Sequence, residues 1–165
     1  VTGHHRARRL ALQALCALDV QGTKARERVD YFIDDSKEPP QTIAFARQLL
    51  AKAVEHLAPC DQFLSRHARH WEMSRLALVD RNILRLAVGE ILSGRTPMKV
   101  AITEALRLAK EFSTAESPRF INGVLDAVAK DILKETSRDA GDTGDKANAE
   151  EERHKKAKQN GDRGI

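Results

Sequence analysis

Aromatic residues are scarce: Phe, Trp and Tyr together make up 4% of 165 positions. A sheet core built on aromatic and β-branched side chains is hard to assemble from so few. No apolar run approaches the ~20 residues that span a bilayer. The basic N-terminus has no apolar stretch of the signal-peptide kind. Only two cysteines occur, Cys16 and Cys60, far apart and in no CxxC pair. A disulfide framework is therefore excluded, and a reduced, cytoplasmic protein is the expectation. There is no Gly-rich phosphate loop, no HExxH and no GxSxG elbow, so neither an enzyme nor a cofactor is expected. His67 and His70, with Cys60 and Glu72 nearby, have ligand-like spacing. Their charged "RHARH" context and the lack of a second ligand pair favour surface histidines over a metal site.

Acid is missing from one end: no Asp or Glu precedes Asp19. After residue 134 lie 7 of the 28 Lys and Arg and 8 of the 24 Asp and Glu, which leaves the first 134 residues with 21 basic and 16 acidic groups, a net +5. The positive charge belongs to that part, and its N-terminal edge is the most basic piece. An anionic partner suits such a distribution.

What is present is helical pattern. In "HHRARRLALQALCALDV", Leu10, Ala14, Leu15 and Leu18 make an apolar stripe. A short helix is expected around Val29 to Ile33, and Pro39-Pro40 breaks the chain after it. Ile43, Ala46, Leu50, Ala53, Val54 and Leu57 line one face of the next helix, which Pro59 is expected to end. "CDQFLSRHARHWEM" reads as a helix with Asp61 as candidate N-cap. "SRLALVDRNILRLAVGEILSG" is apolar on most sides, as a helix through the core would be. Asp80 is a candidate cap within it, and Gly94 stops it. "TPMKVAITEALRLAKEF" opens with Thr96 as N-cap and Pro97 as first helical residue. From Glu135 to Ile165 periodicity is lost, and a charged, disordered tail is expected. The reading is all-α, with about six or seven helices in a domain over 1–134 and a tail over 135–165.

"SPRFINGVLD" raises a conflict. Asn122-Gly123 is a hairpin signal, yet Phe120, Ile121, Val124, Leu125, Val128 and Ile132 recur at helical spacing. Pro118 cuts the first candidate strand short, so the helix is preferred. Gly123 is then expected to mark a close helix–helix approach, with Asn122 hydrogen-bonding across it. Ser117 as N-cap, Pro118 and Arg119 bring helix-terminal N–H groups and a guanidinium together, which suits phosphate. Phe120 fits two roles: core, in line with Val124 and Val128, or an outward ring that stacks on a base.

"VDRNILRLAVGEIL", "TPMKVAITEALRLAKEF" and "SPRFINGVLD", in this order, resemble the NusB family of transcription antitermination factors. "RARRLALQAL" also fits that family's basic opening helix, and the resemblance spans roughly residues 4 to 133. It implies two packed helical bundles. It implies binding of single-stranded boxA RNA in nascent ribosomal RNA, together with a small-subunit ribosomal protein, NusE. The assembly then joins an RNA polymerase antitermination complex. The family includes monomers and dimers, so a homodimer stays open. Carried over residue by residue, the RNA surface is His4, His5, Arg6, Arg8, Arg9, Glu116, Ser117, Arg119 and Phe120. Glu116 is an acid beside RNA, expected to limit affinity. Asp80 and Arg81 fall on the expected partner-protein surface. The chain departs from the family pattern at His4 and His5, where arginines are common. Histidine changes charge near physiological pH, so weaker or more pH-dependent RNA binding is expected. Cys16 and Gly89 replace tyrosines, and Thr103 replaces an asparagine. Two alternatives remain: the NusB-like domain of a ribosomal RNA cytosine methyltransferase, cut from its catalytic part, and an interaction module without RNA binding.

Overall fold

The computed structural model describes residues 2–67 and 76–160, with side chains described for all of these but Thr23 and residues 139–160. Among the described residues the chain is all helix: α1 (Gly3–Gln21), α2 (Arg26–Asp34), α3 (Pro40–Glu55), α4 (Leu57–His67), α5 (Leu78–Leu92), α6 (Met98–Phe112) and α7 (Ser117–Asn160). A 3-10 turn, Thr23–Ala25, joins α1 to α2. His70 and Glu72, two of the four residues of the metal-like spacing, lie outside the described residues.

The chain forms two compact units, residues 1–129 and 130–165. In the first, α1, α2 and α3 pack on one another, while α5 lies against α1, α3, α4 and α6. Ten of the fifteen residues of α5 are buried, which places it at the centre, as its all-round apolar sequence predicts. In the second unit the backbone remains helical as far as Asn160.

Several helix boundaries differ from the sequence reading for a physical reason. Pro59 does not end α3; it sits in the first turn of α4, where a missing N–H costs nothing. Asp61 accordingly lies inside α4 and pairs with Arg85. Asp80 does not cap α5, which starts at Leu78 with Ala77 as N-cap. Thr96 is not a cap either: Pro97 holds that position, and the Thr96 hydroxyl donates to Glu90 at 2.7 Å.

The glycine expectation is corrected as well. Gly123 is exposed, and a Cβ there would meet nothing within 4 Å. Asn122 bonds within its own helix, its Nδ2 donating to Asp126 at 3.3 Å. The close approach is at Gly89, where a Cβ would lie 2.8 Å from the Cα of Ala53. That missing side chain lets the backbones of α5 and α3 touch.

Candidate nucleic-acid interface

Helix α1 opens with Thr2 as N-cap, its hydroxyl accepting from the His5 N–H at 3.4 Å. Its basic residues then divide by face. His5, Arg8, Leu12 and Leu15, spaced i, i+3, i+7 and i+10, are all buried. His4 is exposed, and Arg6 and Arg9 are partly exposed. Two of the five N-terminal residues expected on the RNA surface, His5 and Arg8, therefore turn inward.

The inward pair is held by acids that the sequence reading did not place beside α1. His5 Nδ1 lies 2.7 Å from Glu104, and its Nε2 lies 2.9 Å from Glu111. Carboxylates only accept, so both contacts are hydrogen bonds only when the ring carries both protons. Arg8 forms a bidentate pair with Glu90, its Nε donating at 3.1 Å and an Nη donating to the other oxygen. Its guanidinium also lies 5.5 Å from the centre of the Phe45 ring. Glu104 and Glu111 are seven residues apart, so both project from one face of α6 toward α1. Arg107 pairs with Glu104 at 3.7 Å.

The outward groups are also positioned. Arg9 Nε lies 3.2 Å from Glu111, and its guanidinium stacks 5.5 Å over Phe112. Arg6 Nε lies 2.8 Å from Glu38. His4 packs edge-to-face on Phe45 at 5.1 Å. Phe112 is the last residue of α6, so the same turn that carries the Arg9 contact leads into residues 113–116 and the start of α7.

At that start, Arg119 and Glu116 are exposed and Phe120 is half-buried. Ile121, Val124, Leu125 and Val128 are buried beneath them. Phe120 lines a cleft of about 350 Å³ with Leu76, Ala77, Asp80, Thr114, Glu116 and Ser117. The Ser117 N–H donates to Thr114 and the Phe120 N–H to Glu116, while Pro118 has none. The anion site read from the sequence thus narrows to the N–H and guanidinium of Arg119. Ser117 is buried, and its hydroxyl donates to Asp80 at 2.8 Å rather than capping the helix.

The two residues expected on a partner surface behave differently. Asp80 is 9% exposed and faces the α6–α7 connection. Arg81 Nε lies 2.6 Å from Asp19 on α1. Arg85 bridges Asp19 at 3.1 Å and Asp61 at 2.9 Å. Burial pushes the Asp19 carboxyl up, but hydrogen bonds from Arg81 and Asn82 and the charge of Arg85 outweigh it and hold Asp19 below the usual carboxylate range. Burial raises both thiols, Cys16 to about 11 and Cys60 to about 12, so neither is a thiolate nucleophile at neutral pH. Among the described residues, no group of three His, Cys, Asp or Glu is placed to hold a metal.

The family model for NusB matches residues 5–130. The chain belongs to the NusB family. Transcription antitermination protein NusB of Solibacter usitatus is 45% identical over 134 residues, covering 80% of this chain and 92% of that protein. NusB of T. maritima superposes with a TM-score of 0.68 at 32% identity, over 78% of this chain and 92% of that one. A crystal structure of the antitermination factors NusB and NusE in complex with double-stranded RNA matches with a TM-score of 0.70 at 26% identity, over 78% of this chain and 96% of that one. These solved relatives share the all-α fold seen here, and in this chain the outward residues of α1 and the start of α7 are the candidate nucleic-acid surface.

Proposed function

We propose that this protein is a transcription antitermination factor that binds single-stranded boxA RNA of nascent ribosomal RNA transcripts together with NusE. In this reading the assembly joins RNA polymerase in the cytoplasm, and the protein performs no catalysis. The observations that carry it are Arg9 stacked over Phe112 at the end of α6 and exposed Arg119 beside half-buried Phe120 at the start of α7. Exposed Arg119 precedes a half-buried ring, Phe120, that lines a cleft of about 350 Å³. Single-strand binders combine these two features, a basic track and an aromatic platform. The RNA-contacting set proposed here is His4, Arg6, Arg9, Arg119 and Phe120, with Glu116 opposing binding by charge. His5, Arg8 and Ser117 support it from within.

In this reading the functional domain is residues 1–134, and the charged segment that follows, helical as far as Asn160, adds no base contact. Arg81 remains the candidate for the NusE surface.

A gel shift with boxA-containing, scrambled and duplex RNA, with and without NusE, tests the reading. Preference for single-stranded boxA, strengthened by NusE, is expected. No binding to any of the three would leave an interaction module without RNA binding as the better account, and equal binding to all three would leave a non-specific RNA binder. Phe120→Ala is expected to weaken boxA binding by about 1–3 kcal/mol, the worth of one stacked base.

A further inference from the structure

Asp80 is an acid buried next to the proposed RNA edge, and its surroundings explain it. It sits in the first turn of α5, whose Ile83, Leu84 and Val88 are fully buried. Its two oxygens reach the α6–α7 connection. Oδ1 accepts from the Ser113 hydroxyl at 2.5 Å, and Oδ2 accepts from the Ser117 hydroxyl at 2.8 Å. The Ser117 oxygen lies 2.8 Å from Thr114 Oγ1. Ser117 spends its one proton on Asp80, so Thr114 donates to Ser117. The result is a directed chain, Thr114 to Ser117 to Asp80, with Ser113 closing it from the other side. Hydrogen bonds to an ionised acceptor are roughly twice as strong as neutral ones.

This chain joins the most buried helix of the fold to both ends of a four-residue connection. Phe120 follows one turn after Ser117, and Asp80, Ser117 and Phe120 line the same cleft. We infer that Asp80 is a positioning residue for RNA binding, acting through the Ser113 and Ser117 hydroxyls to set the angle at which Phe120 meets a base. The inference rests on the RNA reading above. It makes a prediction opposite in sign to simple electrostatics. Removing an acid near RNA should tighten binding; removing a positioning residue should weaken it.

The test measures the Kd of the full chain for a fluorescently labelled boxA-containing oligonucleotide at fixed salt. The variants are Asp80→Ala, Asp80→Asn, Phe120→Ala and the Asp80→Ala/Phe120→Ala pair. Asp80→Ala is expected to weaken binding about tenfold, and by less than about twofold when Phe120 is already alanine. Asp80→Asn should restore most of the loss, since its carbonyl accepts one hydroxyl and its amide donates to the other. Unchanged or tighter binding by Asp80→Ala overturns the inference, as does an equal loss in both backgrounds. If Asp80→Ala does not fold, Ser113→Ala/Ser117→Ala, which keeps the charge and removes the donors, must give the same loss. Should Phe120→Ala bind like the parent, the stacking role itself falls. Should Phe120→Ala weaken binding while Asp80→Ala does not, only the positioning role falls.

Discussion

Single positions separate glycines that look alike in the sequence. Gly89 and Gly123 both stand inside helices flanked by apolar residues. Only Gly89 faces a backbone, with Ala53 atoms 2.8 and 3.2 Å from where its Cβ would be. Gly89→Ala is expected to destabilise by about 1–3 kcal/mol, the cost of overpacking against atoms that cannot swing away. Gly123→Ala is expected to stabilise by about 0.5–1 kcal/mol, through helix propensity alone. Urea unfolding of the two variants checks both signs, and a stabilised Gly89→Ala would refute the close approach. The same scale distinguishes Arg8 from its neighbours. Removing it leaves Glu90 buried at 4% exposure without its cation. Arg8→Gln should therefore cost about 3–5 kcal/mol of stability, as broken buried pairs do.

Helix faces decide which basic residues reach RNA. Along α1, composition alone treats Arg6, Arg8 and Arg9 as one basic run. The helical period sorts them, because the face of His5, Arg8, Leu12 and Leu15 turns inward. The sequence reading drew the stripe through Leu10, Ala14, Leu15 and Leu18 and left His5 and Arg8 on the RNA surface, although Leu12 and Leu15 share their buried face. The acids that receive the inward pair were not legible, because Glu90, Glu104 and Glu111 lie more than 80 residues away in the chain. The expected outcome is a difference in salt dependence. Arg6→Gln and Arg9→Gln should each flatten the slope of log K against log salt by about 0.7 per lost phosphate contact. Arg8→Gln, measured under conditions where it is folded, should leave the slope unchanged. A slope altered by Arg8→Gln and untouched by the other two would reverse the assignment of faces.

At the scale of the whole molecule, the cluster of Asp19, Arg81, Asn82 and Arg85 ties α1 to α5. Asp19 is held below its ordinary value of about 3.9, so the unfolded chain binds a proton before the folded one does. Its stabilising contribution is present above that ordinary value and is lost as pH falls through the depressed one. Asp19→Asn should lower Tm at neutral pH and show a shallower fall of Tm below about pH 4. Thermal melts of parent and variant across the acid range decide it, and parallel curves would count against the cluster. For the C-terminal unit, amide hydrogen exchange of the full chain should show rapid exchange from residue 135 and slow exchange in α5. A helix without an apolar face has little beyond its local bonds to protect it.

Helix number among the described residues, most of the core stripes, the helical answer to "SPRFINGVLD" and the family were determined by sequence alone, because periodicity and linked motifs are local and survive without coordinates; Val54, expected on the buried face of α3, is exposed. Which groups face which was decided by the tertiary structure. Periodicity names a helix face but not its neighbour, so it could not pair His5 with two glutamates, move the close approach from Gly123 to Gly89, or turn Asp80 from an exposed contact into the anchor of the α6–α7 connection. Those outcomes depend on contacts between residues about 30 to 100 positions apart, which form only when α1, α5 and α6 pack together.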